Sequence, residues 1–388
     1  MEYTKFETDK VIAGMENVRM DCARFERVPG ADESFTMLRI VRKDLPFEEQ
    51  IGSLFALLDY LLKQKAGNGT VVFVRFFLSD AANQEAEVTH RWKSLGVVCP
   101  VSMIQQPPLD GTKLAAWVYS ISGASVTCSD DLYRVNTAHY THYWTVNGTC
   151  PEADSSHQTT ALLEGYESSL RREGCDLPNH CVRTWFFVQN VDVNYAGVVT
   201  GRRENFLGIG LNEHTHYIAS TGIEGRSADP KALVRMDAYA VAELKPGQQQ
   251  YLYARTHLNP TSEYGVTFER GVKVKYGDRS HLYISGTASI DNKGQVVHVG
   301  DVRRQTERMW ENVEMLLREG NASFDDVAQM FVYLRDMADY ETVERMFEGR
   351  FPMIPKVIVL APVCRPAWLI EMECLAVVRE ENSAYQLF

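Results

Sequence analysis

Several features that mark common functional classes are missing from this 388-residue chain. No block of Lys or Arg occurs: 51 acidic residues outnumber 40 basic ones, for a net charge of -11. Phosphate-backbone binding depends on clustered cations, so nucleic acid is not an expected partner. No stretch approaches the roughly 18 uninterrupted apolar residues of a membrane-spanning helix, and the opening MEYTKFETDK has no basic-then-apolar pattern. The expectation is a cytoplasmic protein with no membrane partner. The eight cysteines, at 22, 99, 128, 150, 175, 181, 364 and 374, form no CxxC pair, and in a reducing compartment most serve as small buried hydrophobes. The histidine pairs His139/His142 and His214/His216 lack the third and fourth ligands and the Cys or carboxylate support of a zinc site, so no metal and no cofactor is expected.

What remains is ordinary globular composition, 45% hydrophobic and 23% charged, in a chain long enough for two or three domains. Anionic metabolites stay open as ligands, because one or two local arginines can hold a carboxylate whatever the net charge.

Internal repetition is the strongest positive signal. Residues 305–336, QTERMWENVEMLLREGNASFDDVAQMFVYLRD, and 158–190, QTTALLEGYESSLRREGCDLPNHCVRTWFFVQN, both open with Gln-Thr and continue at helical spacing to Leu317 and Leu170. Each then passes a glycine, Gly320 or Gly174, into an aromatic, β-branched strand. Residues 50–80 are a fainter third copy. The closing strand repeats too: ALVRMDAYAV (232–241) aligns without gaps on WLIEMECLAV (368–377), with KLAAWVYSI (113–121) as the weaker version. Each unit therefore reads as strands, an amphipathic helix, a strand, a second helix and a closing strand, with helices on one face of an α+β sheet. A sheet covered on one side leaves its other face bare, and three units can cover one another. The expected bounds are 1–125 for a degenerate first unit, 130–245 for the second, 246–264 for a connecting loop and 265–388 for the third.

The third unit, through YISGTASIDNKGQVVHVGDVRRQTERMWENVEMLL, FVYLRD and IEMECLAV, resembles the YjgF-type Rid (reactive intermediate deaminase) superfamily. That family builds homotrimers of a chorismate-mutase-like domain with small-molecule sites between neighbouring units, so the triplication implies a pseudo-trimer within one monomeric chain. Within the superfamily the chain resembles the chorismatases in SGTAS (285–289), in Gly300, Asp301 and Gln305, in NYAGVVTGRRENF (194–206), in YGVTFERG (264–271) and in the tail VCRPAWLIEMEC. The first 125 residues match neither group clearly. Rid deaminases hold a substrate carboxylate with an arginine fifteen residues before the first Glu of the last strand; here that position is Lys356, which cannot give the planar two-point grip of a guanidinium.

Repeat comparison singles out Glu371. Its counterpart is Arg235 in the second unit and Ala116 in the first, whereas Glu373 is matched by Asp237 and reads as scaffold. A glutamate in an apolar cleft has its charged form desolvated and its pKa raised, which suits a general acid near neutrality. The chorismatase resemblance implies that Glu371 protonates the exocyclic methylene of an enolpyruvyl group, with Cys364, seven residues upstream, as pocket wall, nucleophile or shape element. A dicarboxylate substrate needs at least two cationic or multi-donor anchors; Arg202, Arg270 and Arg365 are the candidates, with Tyr264 as a hydroxyl donor. Gly286, Thr287 and Ala288 keep side chains small where a ring would approach the backbone. The expected function is chorismatase-type cleavage of a small anionic substrate to pyruvate and a dihydrodiol or hydroxybenzoate. The alternatives are a Rid-type enamine or imine deaminase and a non-catalytic metabolite-binding protein.

Overall fold

The computed structural model describes residues 1–7, 17–27, 30–63, 69–130 and 132–388; within β1 only the backbone of residues 3–7 is described, and likewise only that of Tyr264. Three six-stranded mixed sheets follow one another along the chain, each with the same strand order. The first comprises β1 (Glu2–Glu7), β2 (Val18–Phe25), β3 (Glu33–Ile40), β4 (Thr70–Leu78), β5 (Val101–Gln105) and β6 (Leu114–Ile121), in the order β1-β2-β3-β6-β4-β5. The second runs β7 (Ser125–Ser129), β8 (Leu132–Asn136), β9 (Thr141–Gly148), β12 (Val234–Val241), β10 (Cys181–Val188), β11 (Ala219–Glu224). The third runs β13 (Gln249–Leu252), β14 (Gly271–Lys275), β15 (Arg279–Ala288), β18 (Ile370–Arg379), β16 (Val327–Leu334), β17 (Lys356–Leu360).

The repeat is thus an α+β unit used three times, with one strand more than the sequence pattern offered. After the second helix of each unit a short strand, β5, β11 or β17, pairs parallel to the strand before that helix. The segment expected as a connecting loop, 246–264, contains β13, which pairs antiparallel with β14 and extends the third sheet. Its four residues, QQYL, are too few and too polar to show a strand period.

The helices form for local reasons. Asp301 caps helix Val302–Glu319 by accepting from the Arg304 amide, and Met309, Trp310, Val313, Leu316 and Leu317 make its buried stripe. Helix Val191–Gly208 lies against helix Ser155–Arg172 so closely that a Cβ at Gly201 would sit 2.3 Å from the Ser156 carbonyl oxygen. Only glycine allows that approach, and the neighbouring Arg202 is buried.

The other face of each sheet meets the remaining two in one apolar core that includes Phe73, Trp117, Trp144, Trp185, Tyr239, Tyr283 and Phe331. Burying each such ring is worth about 1.5–3 kcal/mol. Buried ion pairs stitch the seams. Arg75 on β4 meets Asp237 on β12 at 2.9 Å, and Arg183 on β10 meets Glu373 on β18 at 2.7 Å. Arg279 and His281 on β15 meet Glu33 on β3. Burial opposes ionisation of Glu33, yet His281 and Arg279 hold its carboxyl down at about 2. Removing one partner of such a pair typically costs about 3–5 kcal/mol. The Pro-rich turn 104–111 straps the seams as well: Gln105 bridges to Arg226, and Leu109 and Pro107 exchange backbone hydrogen bonds with Ile358 and Leu360.

Candidate functional site at the seam of the second and third sheets

Strand register fixes which repeat positions correspond. Tyr333 opposite Glu371, Phe187 opposite Arg235 and Phe77 opposite Ala115 occupy the same rung of their ladders. The counterpart of Glu371 in the first sheet is therefore Ala115 rather than Ala116; an ungapped comparison of a weak repeat leaves a one-residue slip undetected. Asp237 and Glu373 are true counterparts and behave alike. Asp237 takes Arg75 and the Ser102 hydroxyl; Glu373 takes Arg183, the Trp185 indole at 2.7 Å and the Thr221 hydroxyl. Both acids lock a seam.

Glu371 does something else. It shares a face of β18 with Glu373, two residues on, and borders a cavity of about 280 Å³ between the second and third sheets, near the lower end of the size range of small-molecule sites. The second sheet contributes Tyr195, Val199 and Arg202 from helix Val191–Gly208, and Ser220, Thr221 and Gly222 from β11. The third contributes Val266, Phe268, Arg270, Gly286, Ala288, Ile290, Cys364, Arg365, Trp368 and Glu371.

Room for the carboxyl is made by an irregularity in β15. The β15–β18 register shifts between Ile284 and Thr287, and the second sheet holds the displaced backbone. The Gly286 amide donates to Thr221 Oγ1 at 2.9 Å, while Ser285 Oγ accepts from the Ser220 amide at 3.0 Å and from Arg183 Nη1 at 3.1 Å. A Cβ on Gly286 would lie 2.2 Å from Glu371 Oε1, so the acid's position depends on glycine there. Glu371 is only 5% exposed. Burial first, and then the neighbouring Glu373 charge, push its pKa up to about 8 against the opposing pull of Arg270 and Arg183. At neutral pH the carboxyl carries its proton.

Three guanidinium groups line the same cavity. Arg202, 1% exposed, lies between Phe186 and Phe268 with its carbon 5.7 Å from each ring, and donates to Thr267 Oγ1 at 3.2 Å and Ser220 Oγ at 3.3 Å. Arg270 is 5.5 Å from the Phe268 ring and is steadied by the Asn259 carbonyl and side-chain oxygens at 3.2 and 3.1 Å. Arg365 stacks 4.8 Å from Trp368. Aromatic walls and fixed donors leave the cations pre-oriented for an anion. The Tyr195 phenol hydrogen-bonds the Cys364 thiol, whose pKa burial and then Glu371 push up to about 12. That thiol is neutral at physiological pH, which fits a shape element better than a nucleophile.

Of the residues expected from sequence, Arg202, Arg270, Gly286, Ala288, Cys364, Arg365 and Glu371 converge on this one cavity. Thr287 does not: it alternates to the opposite side of β15, and its hydroxyl donates to the Ser285 carbonyl at 2.9 Å. The side chain of Tyr264 lies outside the described residues. Lys356 does not border this cavity either; its ammonium meets Glu348 at 2.8 Å and the Phe351 carbonyl at 2.9 Å. Its counterpart in the second sheet by register is Ser220, and there Arg202 supplies the cation. Sequence reasoning missed Tyr195, Ser220, Thr221 and Trp368, although TGRRENF and the closing tail lie close by.

At the first seam the counterpart position, Arg235, is paired with Glu85 by contacts of 2.9 and 3.2 Å, so that seam holds a salt bridge where the second holds a lone acid. The histidine pairs are split: His142 is buried against the Tyr239 hydroxyl at 2.8 Å while His139 is exposed, and His216 stacks on Tyr251 while His214 is exposed. Among the described residues no cluster of three or more His, Cys, Asp or Glu is placed to hold a metal, and no helix is long and apolar enough to cross a membrane.

Comparison with known proteins adds four findings. The family model described as Endoribonuclease L-PSP matches residues 268–378. The 3-aminoacrylate deaminase RutC of Acinetobacter baylyi is 32% identical over 97 residues, 24% of this chain and 77% of that protein. A RutC family protein of Pyrococcus abyssi is 32% identical over 97 residues, covering 24% and 76%. Among solved structures, a chorismatase superposes with a TM-score of 0.64 at 19% identity, over 81% of this chain and 95% of its own, a likeness of fold.

Proposed function

The chain belongs to the RutC/YjgF (Rid) superfamily, and from that premise we propose that it is a chorismatase-type enzyme cleaving an enolpyruvyl ether of a carboxylated six-membered ring, chorismate or a close relative. The observation that carries this reading is a protonated, buried Glu371 at the wall of a cavity ringed by Arg202, Arg270 and Arg365. A deaminase site needs one anion anchor; three cations around one acid suit a dianion.

Glu371 delivers its proton to the terminal methylene carbon, which becomes a methyl group, and the ether-bearing carbon becomes an oxocarbenium centre. Water adds to that centre and its surplus proton returns to Glu371. The hemiketal then breaks its bond to the ring oxygen, which takes the hemiketal hydroxyl proton, leaving pyruvate and a ring alcohol. A positioned acid of this kind contributes about 10²–10⁴ in rate. The arginines bind the two carboxylates throughout, and Cys364 with Tyr195 shapes the wall beside the reacting carbon.

Incubation with chorismate, with pyruvate coupled to lactate dehydrogenase, is the test. Turnover by the wild type and its loss in Glu371→Gln support the reading; absence of pyruvate from the wild type sinks it. A second reading, enamine or imine hydrolysis, draws on the RutC relatives, one of which is named a 3-aminoacrylate deaminase; ammonia release from an enamine generated in situ would favour it.

A further inference from the structure

The two acids of β18 stand two residues apart on the same face of the strand, and of the two only Glu371 borders the cavity. Glu373, 4% exposed, is sealed beneath by Arg183, Trp185 and Thr221, all from the second sheet. Arg183 also reaches Ser285, and Thr221 also takes the Gly286 amide. The same few side chains therefore hold Glu373 and the displaced β15 backbone that accommodates Glu371. At the first seam the corresponding acid, Asp237, stands two residues from Arg235, which is already paired with Glu85.

We propose that Glu373, held by Arg183, Trp185 and Thr221, is a positioning residue for the general acid: its fixed negative charge, two residues from Glu371 on the same strand, keeps the Glu371 proton in place. This rests on the reading of Glu371 as the acid and deepens it. The charged and titratable groups facing Glu371 are Glu373 on its own strand, Arg183 from β10, Tyr333 from β16, Arg270 from the segment before β14, Cys364 and Arg365 from the loop before β18, and Arg202 from the helix opposite. Arg270 and Arg183 favour ionisation of Glu371. Glu373 is the nearby anion opposing them, and burial adds to its effect.

With the charge removed in Glu373→Gln, Arg183 and Arg270 act on Glu371 unopposed. The Glu371 titration moves down by about one pH unit or more, since each unit corresponds to a tenfold change in proton affinity. Glu373→Asp, which restores the residue type of the first seam, keeps the titration within about half a unit of the wild type. Asp237→Asn makes the equivalent lesion at the first seam and leaves the titration in place. The readout is the carboxyl ¹³C shift of glutamate-labelled protein between pH 5 and 10 without substrate, with Glu371→Gln identifying the signal. Because it needs no turnover, it separates failure of this inference from failure of the proposed reaction. The pH profile of chorismate cleavage is the second readout: its alkaline limb moves down with the same variant, so the rate at pH 8 falls about fivefold or more while that at pH 6 changes little. An unchanged Glu371 titration in folded Glu373→Gln overturns the proposal. Should that variant not fold, a Glu371 titration displaced by more than about one unit in Asp237→Asn, or unmoved when Thr221→Ala and Arg183→Lys loosen Glu373, does so instead.

Discussion

Replacing Glu371 by glutamine should make the protein more stable, in a manner that depends on pH. The folded protein holds the Glu371 proton up to a pH of about 8, whereas a carboxyl in the unfolded chain gives it up near 4.5. A group whose pKa is raised by folding contributes its full stabilisation below the unfolded value and loses it as pH rises through the folded one. The window is therefore pH 4.5 to 8, and at about 1.4 kcal/mol per pH unit the loss across it comes to about 3–5 kcal/mol, the lower figure allowing for water reaching the carboxyl from the cavity. Glutamine keeps the shape and has no charge to bury, so it escapes this loss. The variant and the wild type should be equally stable at pH 4.5 and diverge steadily up to pH 8, with Glu371→Gln melting several degrees higher at pH 8.5. Urea or thermal denaturation at half-unit intervals measures this. Parallel pH dependences for the two proteins would refute the claim that the acid is buried with its proton.

Three further outcomes follow from the same geometry. Gly286→Ala places a Cβ where Glu371 Oε1 stands, so pyruvate release should fall by about 10² or more with the fold retained, as read by circular dichroism and steady-state kinetics. Arg270→Gln removes one anion anchor and should raise KM for a dianionic substrate by about 10–100-fold, with a smaller effect on kcat. Cys364, a thiol held neutral up to a pH of about 12, should resist alkylation by iodoacetamide at pH 7.5, and Cys364→Ser should keep kcat within about tenfold of the wild type.

The repeated unit was legible because each copy carries a long amphipathic helix followed by an apolar strand, signals that survive divergence. The short strands β5, β11 and β17 were not: five or six residues after a helix, YIASTGIEG among them, read as connection, yet β11 brings Ser220 and Thr221 to the cavity. Glu371 could be told from Glu373 because the repeat supplied internal controls. Arg183 was overlooked although it is the lone charge in CVRTWFFV. A buried arginine in an apolar strand implies a buried acid partner, but the partner lies 190 residues away in sequence and in another sheet. Long-range pairing of this kind leaves no local trace.

Whether Glu371 gives its proton to a substrate carbon can be read from cleavage of chorismate in heavy water. Pyruvate formed by the wild type should carry one solvent-derived deuterium in its methyl group, and its formation should fall by a factor of about 10² or more in Glu371→Gln. Pyruvate without the label, or formed equally fast by the glutamine variant, would contradict proton transfer from Glu371.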